Sequence, residues 1–121
     1  MTPLETVRAF MAVAAVRDYD AAMELLAEDI EYQNMPLPAV HGRDAVRETL
    51  EALLAMCTGS EWVVHRELAA GGLVMNERTD RFLLKGEWVD LPVAGVFEVR
   101  DGRIALWRDY FDLPTIMNKM L

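Results

Sequence analysis

The chain has 121 residues, enough for one domain spanning 1–121, and 53% of them are hydrophobic, enough for a sizeable core plus an apolar cavity. A net charge of -8 and a pI of about 4.7 argue against nucleic acid and anionic membrane surfaces as partners. The lone cysteine, Cys57, rules out an internal disulfide, no basic-then-apolar signal segment opens the chain, and no apolar run reaches the roughly 18 to 20 residues of a membrane helix, so a cytoplasmic domain without membrane insertion is expected.

Thr2-Pro3-Leu4-Glu5 reads as a helix start, with Thr2 as N-cap, Pro3 in the first turn and Glu5 completing a capping box. Val7, Phe10, Met11 and Ala14 then recur at helical spacing. Residues 18–28 read as a second, shorter helix and 30–34 as a short strand stopped by Pro36 and Pro38. Gly42 opens a third helix with Val46, Leu50, Leu53, Leu54 and Cys57 on one face. From there strands dominate: 62–69, 73–84, 87–100 and 103–112, joined at Gly71-Gly72, Lys85-Gly86 and Asp101-Gly102. Pro92 inside the third of these suggests a bulge or an edge. Residues 113–121 form a closing helix, with Pro114 in its first turn. Helices first and a strand meander afterwards predict an α+β fold, a curved, mainly antiparallel or mixed sheet with the N-terminal helices packed on it.

Period-two alternation puts Val74, Asn76, Arg78, Asp80 and Phe82 on one face of a strand whose centre is charged. In the last strand Ala105, Trp107, Asp109 and Phe111 share a face, a lone carboxylate among large apolar groups; Tyr32 and Asn34 share one in the first strand. A buried charge is costly unless paired, and the fork of Arg78 offers enough donors to bridge Asp80 and Asp109 if their strands face one cavity. Such a cluster suits general acid–base chemistry on an uncharged substrate, with one carboxylate drawing a proton from water and the other giving one away. A structural salt bridge satisfies the same pattern, and spacing does not separate the two readings.

Several segments carry a family resemblance. Tyr32-Gln33-Asn34-Met35-Pro36-Leu37-Pro38, Gly42-Arg43-Asp44-Ala45-Val46, Glu77-Arg78-Thr79-Asp80, Gly95-Val96-Phe97 and Trp107-Arg108-Asp109-Tyr110-Phe111-Asp112 resemble, in order, the limonene-1,2-epoxide hydrolase family. The resemblance runs from about Thr2 to Leu113. It implies a cone-like fold of the NTF2/ketosteroid-isomerase-like superfamily, a deep pocket between sheet and helices, and a homodimer. It also implies cofactor-independent, one-step hydrolysis of a lipophilic epoxide to a vicinal diol. Carried onto this chain, Asp109 resembles the base that activates water, Tyr32 and Asn34 the groups that hold that water, Asp80 the acid, and Arg78 the bridge. The chain begins almost at its first helix, where some members carry an extra segment.

Candidates for the substrate lining are Met11, Leu53, Cys57, Val74, Phe82, Leu91, Val93, Trp107, Phe111 and Ile116, each equally placed for plain packing. Cys57 extends a helix stripe and reads as a small buried hydrophobe. No metal is expected, since His41 and His65 are far apart and lack a cysteine pair. The partners are therefore the epoxide and water. Two other readings of the fold are a ketosteroid isomerase or polyketide cyclase-like enzyme, which needs an oxyanion donor but no held water, and a non-catalytic small-molecule binding domain, which need not keep the polar cluster.

Overall fold

Four helices and six strands follow one another in the computed structural model, which describes residues 1–120. Helix α1 (Pro3–Ala15) starts as its sequence requires: the Thr2 side chain accepts from the Glu5 amide, and the Glu5 carboxylate accepts from the Thr2 amide at 2.9 Å. Its buried face is Val7, Phe10, Met11 and Ala14.

Helix α2 (Tyr19–Glu24) is capped by Asp18 but stops four residues before its expected end, because strand β1 (Leu26–Asn34) begins at Leu26. The reason is tertiary. Leu26 pairs with Ile104, the Ile104 amide donates to the Leu25 carbonyl at 2.9 Å, and this sheet pairing overrides the helical propensity of Leu-Ala-Glu. A two-residue strand, β2 (Val40–His41), unforeseen in the sequence, pairs antiparallel with β1. Helix α3 (Arg43–Ala55) then buries Val46, Leu50 and Leu54.

The meander follows: β3 (Gly59–Ala70), β4 (Leu73–Leu84), β5 (Glu87–Arg100) and β6 (Arg103–Tyr110), with α4 (Leu113–Met120) last. Lys85-Gly86 and Asp101-Gly102 have positive φ at both positions, as a type I′ hairpin turn demands. The order is β2-β1-β6-β5-β4-β3, every neighbouring pair antiparallel except β1 and β6, which run parallel. The sheet is mixed and open, with β2 and β3 at its edges and the helices packed on it, and it does not close into a barrel.

Pro92 lies on an interior strand, in register with Thr79 and with no bulge there. Pairing between β5 and β6 ends at Ala94 opposite Tyr110, so beyond that point β5 has a neighbour only on its β4 side. Pro92 thus sits where the sheet is locally an edge and a missing amide donor is tolerated.

Two apolar clusters fill the space between sheet and helices. One joins α1, α2, α3 and the β1–β6 end around Phe10, Leu26, Leu50, Phe97 and Trp107; the other joins Leu54, Phe82, Leu91, Val93 and Ile116. No helix among the described residues is long and apolar enough to cross a membrane.

Candidate active site

Five polar or charged side chains are buried among the described residues: Thr6, Asn76, Arg78, Asp80 and Asp109. Thr6 is explained by its hydrogen bond to the Thr2 carbonyl in the first turn of α1. The other four form one cluster on the inner face of the sheet.

Arg78 is its centre, with only 1% of its surface exposed. Its Nε donates to Asp80 Oδ1 at 2.7 Å and its Nη1 to Asn76 Oδ1 at 3.1 Å. Its Nη2 donates to Asp80 Oδ2 at 3.2 Å and to Asp109 Oδ2 at 2.6 Å. All three guanidinium nitrogens are therefore engaged, which is the condition under which a buried cation is tolerated. Asn76, Arg78 and Asp80 come from β4 at successive same-face positions, whereas Asp109 comes from β6 with β5 in between.

The guanidinium reaches across that strand because the residue beneath it is Gly95. Gly95 is in register with Asn76 on one side and Asp109 on the other. A Cβ built on it would stand 2.5 Å from Arg78 Nη1 and 2.7 Å from Asn76 Oδ1. Glycine is needed here for space; its φ lies outside the left-handed region. The sequence marks this position only as part of the Gly95-Val96-Phe97 tract, and nothing in spacing alone tells that a side chain crosses it.

Parallel pairing of β1 with β6 completes the site. It sets Tyr32 opposite Trp107 and Asn34 opposite Asp109, and the Met35 amide donates to the Asp109 carbonyl at 2.9 Å. The Tyr32 hydroxyl donates to Asn34 Oδ1 at 3.1 Å, and the Tyr32 ring stacks on Trp107 with centroids 4.1 Å apart. Trp107 Nε1 donates to Asp109 Oδ1 at 2.8 Å. Each Asp109 oxygen thus has its own donor. Asn76 and the Trp107 N–H were not singled out as site groups in the sequence, although Asn76 falls on the charged face that period-two alternation reveals.

Burial pushes the Asp80 carboxyl up to about 6; the Arg78 charge works against this and nearby Asp109 adds to it. For Arg78 burial disfavours the charge, but Asp109 and Asp80 outweigh it and the guanidinium is held above its ordinary value. Burial, with Asp109 adding to it, also raises the Tyr32 hydroxyl, which therefore remains a proton donor.

Tyr32, Asn34, Asp80 and Asp109 form the polar part of the wall of a cavity of about 180 Å³. Of the apolar residues expected at its lining, Leu53, Phe82, Leu91, Val93, Trp107, Phe111 and Ile116 are there. Met11 and Val74 are not: both belong to the core cluster that holds Phe10 and Trp107. Cys57 is buried outside the lining, its Sγ 3.3 Å from the Leu54 carbonyl. Leu37, Leu50, Met56, Trp62, Leu113 and Met117 complete the wall unforeseen, because a periodic pattern shows which face a residue is on and not which element covers it.

Comparisons with known proteins place the chain in a family. A family model described as limonene-1,2-epoxide hydrolase catalytic domain matches residues 1–121. The chain is 36% identical over 115 residues to epoxide hydrolase EphG of Mycobacterium tuberculosis, covering 95% of this chain and 76% of that one. Among solved structures it is similar to an M. tuberculosis LEH-like epoxide hydrolase, with a TM-score of 0.84, 34% identity and coverage of 98% of this chain and 88% of that one. It shares its fold with an NTF2-like protein of Burkholderia pseudomallei, at a TM-score of 0.88, 19% identity and coverage of 99% and 98%. With the whole length matched, this chain belongs to the limonene-1,2-epoxide hydrolase family.

Proposed function

We propose that the protein hydrolyses a lipophilic epoxide to a vicinal diol in one step, without a cofactor, over a single catalytic domain. The observation that carries this reading is the pair of buried carboxylates bridged by Arg78 at the polar wall of an otherwise apolar cavity. Epoxide opening needs a nucleophile pushed in and the leaving oxygen pulled out together, and such a pair provides both.

In this mechanism Asp109 takes a proton from a water held by Asn34 and the Tyr32 hydroxyl, and the water oxygen attacks one epoxide carbon. The bond between that carbon and the epoxide oxygen breaks as Asp80, protonated, gives its proton to the oxygen. With Asp80 neutral, Arg78 balances the single charge of Asp109, so the buried cluster carries no net charge. Arg78 holds both acids in place, and proton exchange with solvent resets them.

The walls support an apolar substrate. A cavity of about 150 Å³ lined by aliphatic and aromatic groups takes one benzene, so 180 Å³ accommodates a small ring or a short chain around the epoxide. Leu37, Met56 and Met117 are wall residues that remain 45%, 52% and 41% exposed, an apolar rim over which a longer tail can leave. On the outer face of the sheet, exposed Leu68, Leu73, Met75 and Tyr110 support packing against a second copy as a homodimer. Free, buried Cys57 is consistent with a cytoplasmic setting.

The test is turnover of a size-graded panel of epoxides in water enriched in heavy oxygen. One labelled hydroxyl per diol in a single turnover is expected. Unlabelled diol, or none from any epoxide, would refute the hydrolase reading.

A further inference from the structure

Trp62 sits in the cavity wall and is the residue of β3 in register with Asp80 of β4, so the two side chains stand side by side on the inner face. Its ring approaches Trp107, whose N–H reaches Asp109, with centroids 6.4 Å apart. Its Nε1 is buried and has no hydrogen-bond partner among the described residues. The one other such atom, Arg108 Nε, belongs to a guanidinium already paired with Glu31 through Nη2 at 3.0 Å. For Trp62 the unpaired atom is the side chain's only polar one. Trp107, on the same cavity, spends its N–H on Asp109. Buried donors in folded proteins are paired, so an unpaired one calls for a partner from outside the chain, a water or a bound molecule.

We propose that the Trp62 indole N–H is a second donor to the epoxide oxygen, beside Asp80. This rests on the epoxide hydrolysis reading and adds a catalytic residue to it. The bonds made and broken are unchanged: the water oxygen bonds to carbon, the ring C–O bond breaks, Asp109 receives the water proton and Asp80 delivers its own. The indole keeps its proton throughout. Its hydrogen bond strengthens as negative charge gathers on the leaving oxygen, which is when a fixed donor in a water-poor site has most effect. A tryptophan here therefore contributes to rate as well as to the apolar wall.

The experiment compares the wild type with Trp62→Phe, which removes the N–H and keeps an aromatic wall. A fall in kcat of about 10- to 100-fold on every epoxide the wild type accepts, with KM changed little, is expected. A wall residue acting by shape alone would move KM and sort substrates by size, and that outcome overturns the proposal, as does an unchanged kcat. A second measurement needs no variant: in wild-type protein labelled with ¹⁵N at tryptophan, the Trp62 indole proton should shift downfield on titration with the diol product. A Trp62 indole signal that stays in place while the Trp107 indole signal moves also overturns it. If the wild type opens no epoxide at all, the hydrolase reading fails and takes this one with it; a fully active Trp62→Phe enzyme removes only the indole donor.

Discussion

Asp109 and Asp80 share one guanidinium, yet their surroundings are unlike. Asp109 stands on the β1–β6 half of the site, with Trp107 Nε1 on one oxygen, Arg78 Nη2 on the other, and Asn34 in register beside it. Asp80 stands on the β3–β4 half, and among the described residues both its donors come from Arg78. Burial dominates there, and the carboxyl is pushed up to about 6. Two identical groups thus stand in unlike surroundings, and the proposed division of acid and base work between them rests on that difference.

Removing the accepting half should have the largest effect. Asp109→Asn keeps size and polarity but removes the proposed base; kcat is expected to fall by about 10³- to 10⁴-fold, and the thermal midpoint to drop because Arg78 loses a buried counter-charge while the chain still folds. Steady-state kinetics beside a melting curve check this, and wild-type turnover would remove Asp109 from the mechanism.

Separating the halves without touching either acid is the next test. In Gly95→Ala the added methyl meets Arg78 Nη1 and Asn76 Oδ1 at hydrogen-bond range or closer, so the guanidinium must shift. About 1 to 3 kcal/mol of stability is expected to be lost to overpacking, and turnover should drop on the order of 10²-fold through misplacement of the acids. Denaturant titration and kcat read the two separately. Full activity would show that the bridge over β5 is dispensable.

The difference between the halves also predicts a pH dependence. If Asp80 acts as the acid, it must be protonated, and kcat/KM is expected to decline about tenfold per pH unit above roughly 6. Asp80→Asn should lower the rate and abolish that limb; a limb that persists belongs to another group. The stability effect has a matching sign. The folded value lies above the roughly 3.9 of an unfolded aspartate, so the Asp80 contribution is fully present below about pH 4 and is lost as pH rises through about 6.

The smallest effect is expected one residue before Arg78, on the opposite face of the strand. Glu77 pairs with Arg66 in solvent, the two side chains 58% and 75% exposed. Glu77→Gln should change stability by less than about 0.5 kcal/mol and leave kcat unaltered. A large loss would mean that the outer face communicates with the cluster.

Much of this molecule was legible from its residues. The capping box at Thr2 and Glu5, the strand limits of β4 and β5 and the hairpin glycines follow from local chemistry, which acts over a few residues. The end of α2 and the existence of β2 did not, because the first is decided by β1 pairing with β6, about 75 residues later, and the second by pairing with β1 once it is so placed. The Met11 and Val74 placements failed similarly: helical and strand periods report an inward face, while only packing tells core from cavity.

The sequence by itself determined that Arg78 and Asp80 share a strand face and that Asp109 is a carboxylate set among aromatic groups, because alternation along a strand is a property of the backbone. Only the tertiary structure decided that β4 and β6 lie one strand apart, that Gly95 clears the path between them, and that Trp62 stands against Asp80 with its N–H unpaired. The physical reason is range. Periodicity assigns a face to each residue, but which faces meet depends on strand order and register, and these are set by the burial of the whole chain at once.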